Sequence, residues 1–153
     1  MMKLCFAASS GGHMEELSRL AGVIGGRESF LITEAVSNST APSFCDRVYT
    51  VRLVNRKEFL FPVRLMGLLI RSFQILRKER PDCVITTGAL AGYPVSLAAK
   101  LMGKKIIYVE SFARVHSASL TGKLIYPFAD LFIVQWEEML KKYPRAVYGG
   151  WLV

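Results

Sequence analysis

The chain has little sulfur to build with. Cys5, Cys45 and Cys83 are its only cysteines in 153 residues, and no two are spaced as CxxC. That excludes a disulfide framework and a cysteine zinc site, and it fits a reducing, cytosolic compartment. Long apolar runs are also missing. Only Leu4 to Ala8 is apolar before the first polar turn, which does not make a secretory signal. No stretch reaches the roughly 18 uncharged apolar residues of a membrane span. No Gly-Lys-Ser/Thr follows the first glycine turn, so there is no Walker A loop, and the full GxGxxG spacing is absent as well. No repeat, low-complexity tract or linker divides the chain, so residues 1–153 read as one domain. Acidic residues are scarce: 12 against 20 basic ones, a formal net charge of +8. The excess favours polyanionic partners such as phosphorylated substrates, anionic lipid or nucleic acid. The basic residues are not interleaved with strand aromatics as in RNA-binding modules, which argues against nucleic acid.

What the chain has in abundance is apolar side chains, 52% of the total, with a mean hydropathy of +0.30. Parallel strands buried on both faces account for part of this, and a surface that docks on something apolar accounts for the rest. Strand-like runs fall at 4–8, 29–33, 47–54, 82–87, 105–109, 131–134 and 146–148. Helical spacing falls between them at 14–24, 62–79, 94–102 and 137–142, with Pro94 suited to a first turn and Gly103 to a stop. The alternation predicts an α/β fold, a parallel sheet with helices on both faces. Ligands of such sheets bind at the carboxyl ends of the strands.

Three loops at those ends hold the candidate chemistry. Ser10, Gly11, Gly12 and His13 follow the first strand. Glycines there let backbone approach a phosphate, and the helix that follows offers free N–H groups. A plain βα turn would use the same glycines, but a histidine at a strand-end turn can donate to a diphosphate or act as a base. A second small-residue turn contains Thr87, Gly88 and Gly92. It would share an anion site with the first turn, or serve only close helix–sheet packing. Glu110 ends the apolar run 105–109 and would be a general base or bind a sugar hydroxyl. A structural ion pair with Arg114 is the other reading.

Two apolar features remain. In the helix 62–79, Arg64, Arg71 and Lys78 recur every seven residues on one face, while Leu68, Phe73 and their neighbours are apolar and Phe59 and Phe61 stand just before it or at its start. That pattern fits an interfacial helix whose arginines meet lipid phosphates, or a core helix with one solvated stripe. The end of the chain, Trp151, Leu152 and Val153 after a glycine pair, would dock on a partner chain or fray.

Several segments resemble the ALG fourteen-like oligosaccharide biosynthesis family, whose bacterial members include PssD- and CpsF-type proteins of capsule and exopolysaccharide operons. They are Ser9 to Glu16 (SSGGHMEE), Thr86 to Pro94 (TTGALAGYP), Lys104 to Val115 (KKIIYVESFARV), Leu120 to Tyr126 (LTGKLIY), Ala129 to Trp136 (ADLFIVQW) and Tyr143 to Gly150 (YPRAVYGG), in order along nearly the whole chain. The resemblance implies a Rossmann-like, amino-terminal half of a GT-B glycosyltransferase. A separate ALG thirteen-like chain, PssE- or CpsG-type, would bind the UDP-sugar, so no cofactor and no metal is expected here. This chain would hold a lipid-diphosphate acceptor at the cytosolic membrane face, with GlcNAc or galactose as the sugar. It would recruit and activate its partner through its carboxyl terminus. His13 and Glu110 would be catalytic, and Ser10, Gly11, Gly12, Glu16, Thr87, Gly88, Gly92 and Arg114 would hold acceptor or phosphate. Eukaryotic members carry an amino-terminal membrane span; this sequence opens on its first strand, so membrane contact is expected to be peripheral, through residues 59–78. A non-catalytic anchor or enhancer is the alternative.

Overall fold

The computed structural model describes residues 1–35 and 44–152. Seven strands form one sheet: β1 (Leu4–Ala8), β2 (Ser29–Glu34), β3 (Arg47–Val51), β4 (Cys83–Gly88), β5 (Lys105–Val109), β6 (Leu131–Val134) and β7 (Val147–Tyr148). Their order is β3-β2-β1-β4-β5-β6-β7 and every pair is parallel. The order reverses between β1 and β4. Connections leave these two strands in opposite directions there, which opens a crevice above their carboxyl ends.

Helices α2 (Phe61–Glu79), α3 (Ala89–Leu101) and α4 (Leu120–Ile125) cover one face, and the larger core, with Phe30, Ile32, Leu76, Val95 and Tyr108, lies beneath them. Helix α1 (Gly12–Arg19) and the 3₁₀ segment Leu20–Ile24 cover the other face, burying Leu17 over Leu4, Phe6, Leu31 and Ile85. The expected α/β architecture with helices on both faces is therefore present.

The boundaries differ from the expectation at informative places. The helix expected at 14–24 is α-helical only to Arg19. Gly22 and the β-branched Val23 and Ile24 are weak α formers, and Gly25 and Gly26, both at positive φ, stop it. The strand expected at 47–54 ends at Val51, where β2 runs out of residues to pair with it. Helix α3 begins at Ala89 rather than at Pro94, so Pro94 lies inside it. The small residues that read as a loop are the helix's first turn. Gly92 has no room for a side chain: a Cβ would come 2.5 Å from Thr86 Oγ1. Helix α4 is an addition to the expected elements. Its signal is Ser119, whose hydroxyl caps it by accepting from the Gly122 N–H at 2.8 Å.

Candidate functional site

The crevice is built by the loops after β1, β4 and β5. In the first, Gly11 has φ 93, a conformation that favours glycine. A Cβ at Gly11 or Gly12 would meet nothing within 4 Å, so the turn faces open space. Gly12 and His13 are the first residues of α1, and their N–H groups have no partner within the helix.

His13 ties this turn to the second. Its Nδ1 lies 3.0 Å from the Thr87 carbonyl oxygen, and Thr87 Oγ1 donates to the His13 carbonyl at 2.7 Å. A carbonyl can only accept, so Nδ1 carries the hydrogen, and Nε2 of the neutral ring is the basic nitrogen. In the second turn Gly88 has φ 103, and Ala89 keeps φ 61 despite its side chain. A Cβ on Gly88 would sit 2.7 Å from the Tyr108 hydroxyl. Ser9 Oγ, from the end of β1, accepts from the Ala91 N–H in the first turn of α3 at 3.4 Å. The two glycine turns expected to share a site thus lie side by side, with Ser10, Gly11, Gly12, His13, Thr87 and Gly88 along them.

The third loop is organised by Glu110, which is 1% exposed. Its Oε1 accepts from the Tyr108 hydroxyl at 3.2 Å and the Ser111 N–H at 3.1 Å. Its Oε2 accepts from the Ser119 N–H at 3.2 Å and the Tyr143 hydroxyl at 2.9 Å. Burial and the nearby Glu110 charge push both phenols well above their ordinary values. This corrects the expected placement: the carboxylate is engaged below the surface and closes the 110–122 loop instead of facing the crevice. The alternative ion pair with Arg114 is absent too; exposed Arg114 donates to Ser117 Oγ at 3.3 Å.

Glu16 reaches across from α1. Its Oε1 accepts from Ser111 Oγ at 2.9 Å and from the Phe112 N–H at 3.0 Å, while Oε2 is buried with no partner among the described residues. Gly12, Glu15, Glu16, Arg19 and Phe112 line a cleft of about 360 Å³. A carboxylate repels phosphate, so this wall suits an O–H or N–H donor. The tail closes the same side. Trp151 packs edge-on to Phe112 at 5.9 Å and against Trp136 at 5.5 Å, and the Leu152 N–H donates to Gln135 Oε1 at 3.0 Å. Val153 lies outside the described residues.

One carboxyl at the sheet edge escaped the sequence reading. Glu34 ends β2 and is buried. Burial pushes its carboxyl up, opposed by a hydrogen bond from Ser9. The signal was the one used for Glu110, a carboxylate closing an apolar run.

Helix α2 packs beside α3. Leu68, expected at a membrane, is 5% exposed and belongs to the core, and Phe61 packs partly against it. The exposed apolar ridge is instead Val63, Met66, Ile70 and Phe73, continued by Phe59 at 98% exposure. Arg64 pairs with Glu58, and Arg71 lines a groove of about 280 Å³ with Arg52 and Arg64. Lys78 lies over the Tyr49 ring at 5.5 Å, away from that ridge. Among the described residues no helix is long and apolar enough to cross a membrane.

Comparison with known proteins bears on the family and the fold. The family profile described as "Oligosaccharide biosynthesis protein Alg14 like" matches residues 4–152. A UDP-N-acetylglucosamine transferase subunit ALG14 from Rattus norvegicus is 32% identical over 178 residues, covering 98% of this chain and 82% of that protein. The corresponding subunit of Schizosaccharomyces pombe is 34% identical over 170 residues, 92% of this chain and 79% of its own. Among solved structures, MurG of Acinetobacter baumannii superposes with a TM-score of 0.71 at 14% identity, over 90% of this chain and 43% of that one. A UDP-N-acetylglucosamine 2-epimerase from Rickettsia bellii gives 0.72 at 16% identity, over 94% and 41%. These likenesses show the fold, and the chain spans under half the length of each such structure. By profile and by curated relatives alike, the chain belongs to the Alg14-like family of oligosaccharide biosynthesis proteins.

Proposed function

We propose that this chain is the acceptor-holding subunit of a two-chain UDP-sugar transferase, one half of a GT-B-type enzyme whose other half binds the UDP-sugar. The observation that carries the reading is the His13–Thr87 pair, which joins two glycine turns and defines Nε2 as the basic nitrogen. A diphosphate would lie on the N–H groups of the two turns, near Ser10, Gly11, Gly12, Thr87 and Gly88, with exposed Arg114 as counter-charge. His13 Nε2 would take the proton of the acceptor hydroxyl as that oxygen bonds to the sugar's anomeric carbon, and UDP would leave toward the partner chain. Glu16 would accept from a hydroxyl or amide of the acceptor. The relatives named as UDP-N-acetylglucosamine transferase subunits favour GlcNAc as the sugar. The ridge from Phe59 to Phe73, flanked by Arg64 and Arg71, would rest on an anionic membrane surface at its cytoplasmic face, making the protein peripheral. Trp151 and Leu152 would border the partner.

One observation favours the second reading, a non-catalytic anchor and enhancer: the one carboxylate expected to act as base is sealed inside the fold. The test assays sugar transfer from UDP-GlcNAc and UDP-galactose to a host membrane extract, with this chain, the neighbouring-gene chain, and both. Transfer with both chains, lowered about 10²- to 10⁴-fold by His13→Ala, is the expected result. Full activity of His13→Ala in the complex establishes the enhancer reading, and no gain on mixing overturns both.

A further inference from the structure

Three arginines meet at one groove near the carboxyl end of β3. Arg64 and Arg71 share a face of α2 two turns apart, and Arg52 follows directly on Val51, the last residue of β3. All three line the groove, and no acidic residue does. Arg64 pairs with Glu58. Arg52 and Arg71 have no carboxylate partner among the described residues. Two guanidinium groups are thus held at one small site without a counter-charge, although like charges repel. Their complement is a dianion whose oxygens accept from both.

The floor sets a second requirement. It is formed by Val51, Val54 and Leu68, each at most 5% exposed and part of the larger core. Gly67 gives access to it: a Cβ there would meet nothing within 4 Å, so α2 has a gap beside the floor. Glycine is otherwise a poor choice inside a helix. No aromatic lines the groove to stack a base, and a valine–leucine floor gives a sugar's hydroxyls no partner. The ligand that fits joins a dianionic head to an apolar group. Val63, 68% exposed, lines the groove and belongs to the ridge of α2, so the apolar group has a continuous path outward.

We infer that this groove binds a phosphate monoester carried on an acyl chain, with Arg52 and Arg71 on the phosphate oxygens and Val51, Val54 and Leu68 under the first carbons. A phosphate monoester carries close to two charges at neutral pH, and a diester carries one. The groove shares no residue with the cleft beside the glycine turns and needs no sugar transfer. It adds headgroup selection to the membrane contact proposed for the ridge, and rests on that contact only for the source of the ligand.

The test titrates the full chain calorimetrically, without vesicles, with three soluble probes. Dihexanoyl phosphatidic acid has both features, dihexanoyl phosphatidylglycerol has the same chains on a diester, and glycerol 3-phosphate has the monoester alone; both lipids are kept below micelle formation. The expected result is phosphatidic acid ahead of either by about tenfold or more. Arg52→Gln and Arg71→Gln should each weaken its binding about tenfold. Gly67→Leu should fill the groove and abolish binding while Tm holds or rises, since leucine is the better helix former. Arg77→Gln is the control: it makes the same charge change on α2 at an exposed position outside the groove, and binding should be unchanged. Equal binding of the two lipids, equal binding of phosphatidic acid and glycerol 3-phosphate, persistence in Gly67→Leu, or an equal loss in Arg77→Gln overturns the proposal. So does tighter binding of a tetraglutamate peptide, which assigns the arginines to an acidic protein partner. Flotation with phosphatidylglycerol vesicles separates the two readings. Flotation after failed titrations leaves the ridge contact standing, and successful titrations without flotation sink the ridge contact alone.

Discussion

At the scale of single residues, Glu110 shows how a carboxylate's role depends on its donors. Each of its oxygens accepts one backbone N–H, from Ser111 and Ser119. An amide has only one accepting atom, so Glu110→Gln must set its NH₂ group against one of those N–H groups. Unfolding by denaturant should show a loss of about 1–3 kcal/mol. A carboxylate that served only as a base would leave stability unchanged on the same substitution. His13 is the opposite case, since its Nδ1 is used and Nε2 has no hydrogen bond among the described residues. In sequence the two looked alike, both polar residues closing apolar strands. What separates them is the company of Tyr108, Ser119 and Tyr143, the last of them 33 residues away in the chain.

At the scale of elements, the amino end of the sheet is held by one buried carboxylate. Glu79, at the end of α2, is bound by Lys3 Nζ at 2.5 Å before β1, by Arg47 Nη1 at 2.9 Å on β3, and by the Tyr49 hydroxyl. Burial pushes its carboxyl up, but the hydrogen bonds from Lys3 and Tyr49 and the charges of Lys3 and Arg47 outweigh that and hold it below the ordinary value. Its contribution is then full above the pH where an unfolded glutamate ionises, about 4.3, and is lost as pH falls through the lower folded-state value. Glu79→Gln should cost about 2–3 kcal/mol at pH 7, and the gap to the parent should narrow as pH falls below about 4, read from urea midpoints at neutral and acid pH. The boundary of α3 belongs to this scale too. Pro94 reads as a helix start from local chemistry, yet α3 extends back to Ala89 because Gly88 turns the chain at φ 103 and Gly92 lets the helix approach Thr86.

At the scale of the whole molecule, the parallel sheet hides the thiols. Cys5 and Cys83 lie in central strands and Cys45 packs at the margin of the smaller core. Burial pushes all three up, Cys45 and Cys83 to about 11 and Cys5 well above its ordinary value. At pH 8 the folded chain should therefore react slowly with Ellman's reagent, and the chain in 6 M guanidinium should take up three equivalents at once, since the thiolate is the reactive form. Equal rates in both states would contradict this packing.

The sequence by itself determined the alternation of strands and helices, the parallel α/β class, the two glycine turns and the family. The family is carried by the resemblance of segments such as Lys104 to Val115 and Ala129 to Trp136. The rest is read from periodicity and from backbone requirements that are local: a strand buried on both faces must be apolar throughout, and a turn at positive φ asks for glycine. That Glu110 is sealed was decided only by the tertiary structure. So was the face of α2 that meets solvent, with Leu68 inside and Met66 out. Each depends on residues far apart in the chain meeting in space. The free energy of a buried charge or an exposed apolar side chain is set by those neighbours, and local sequence does not contain them.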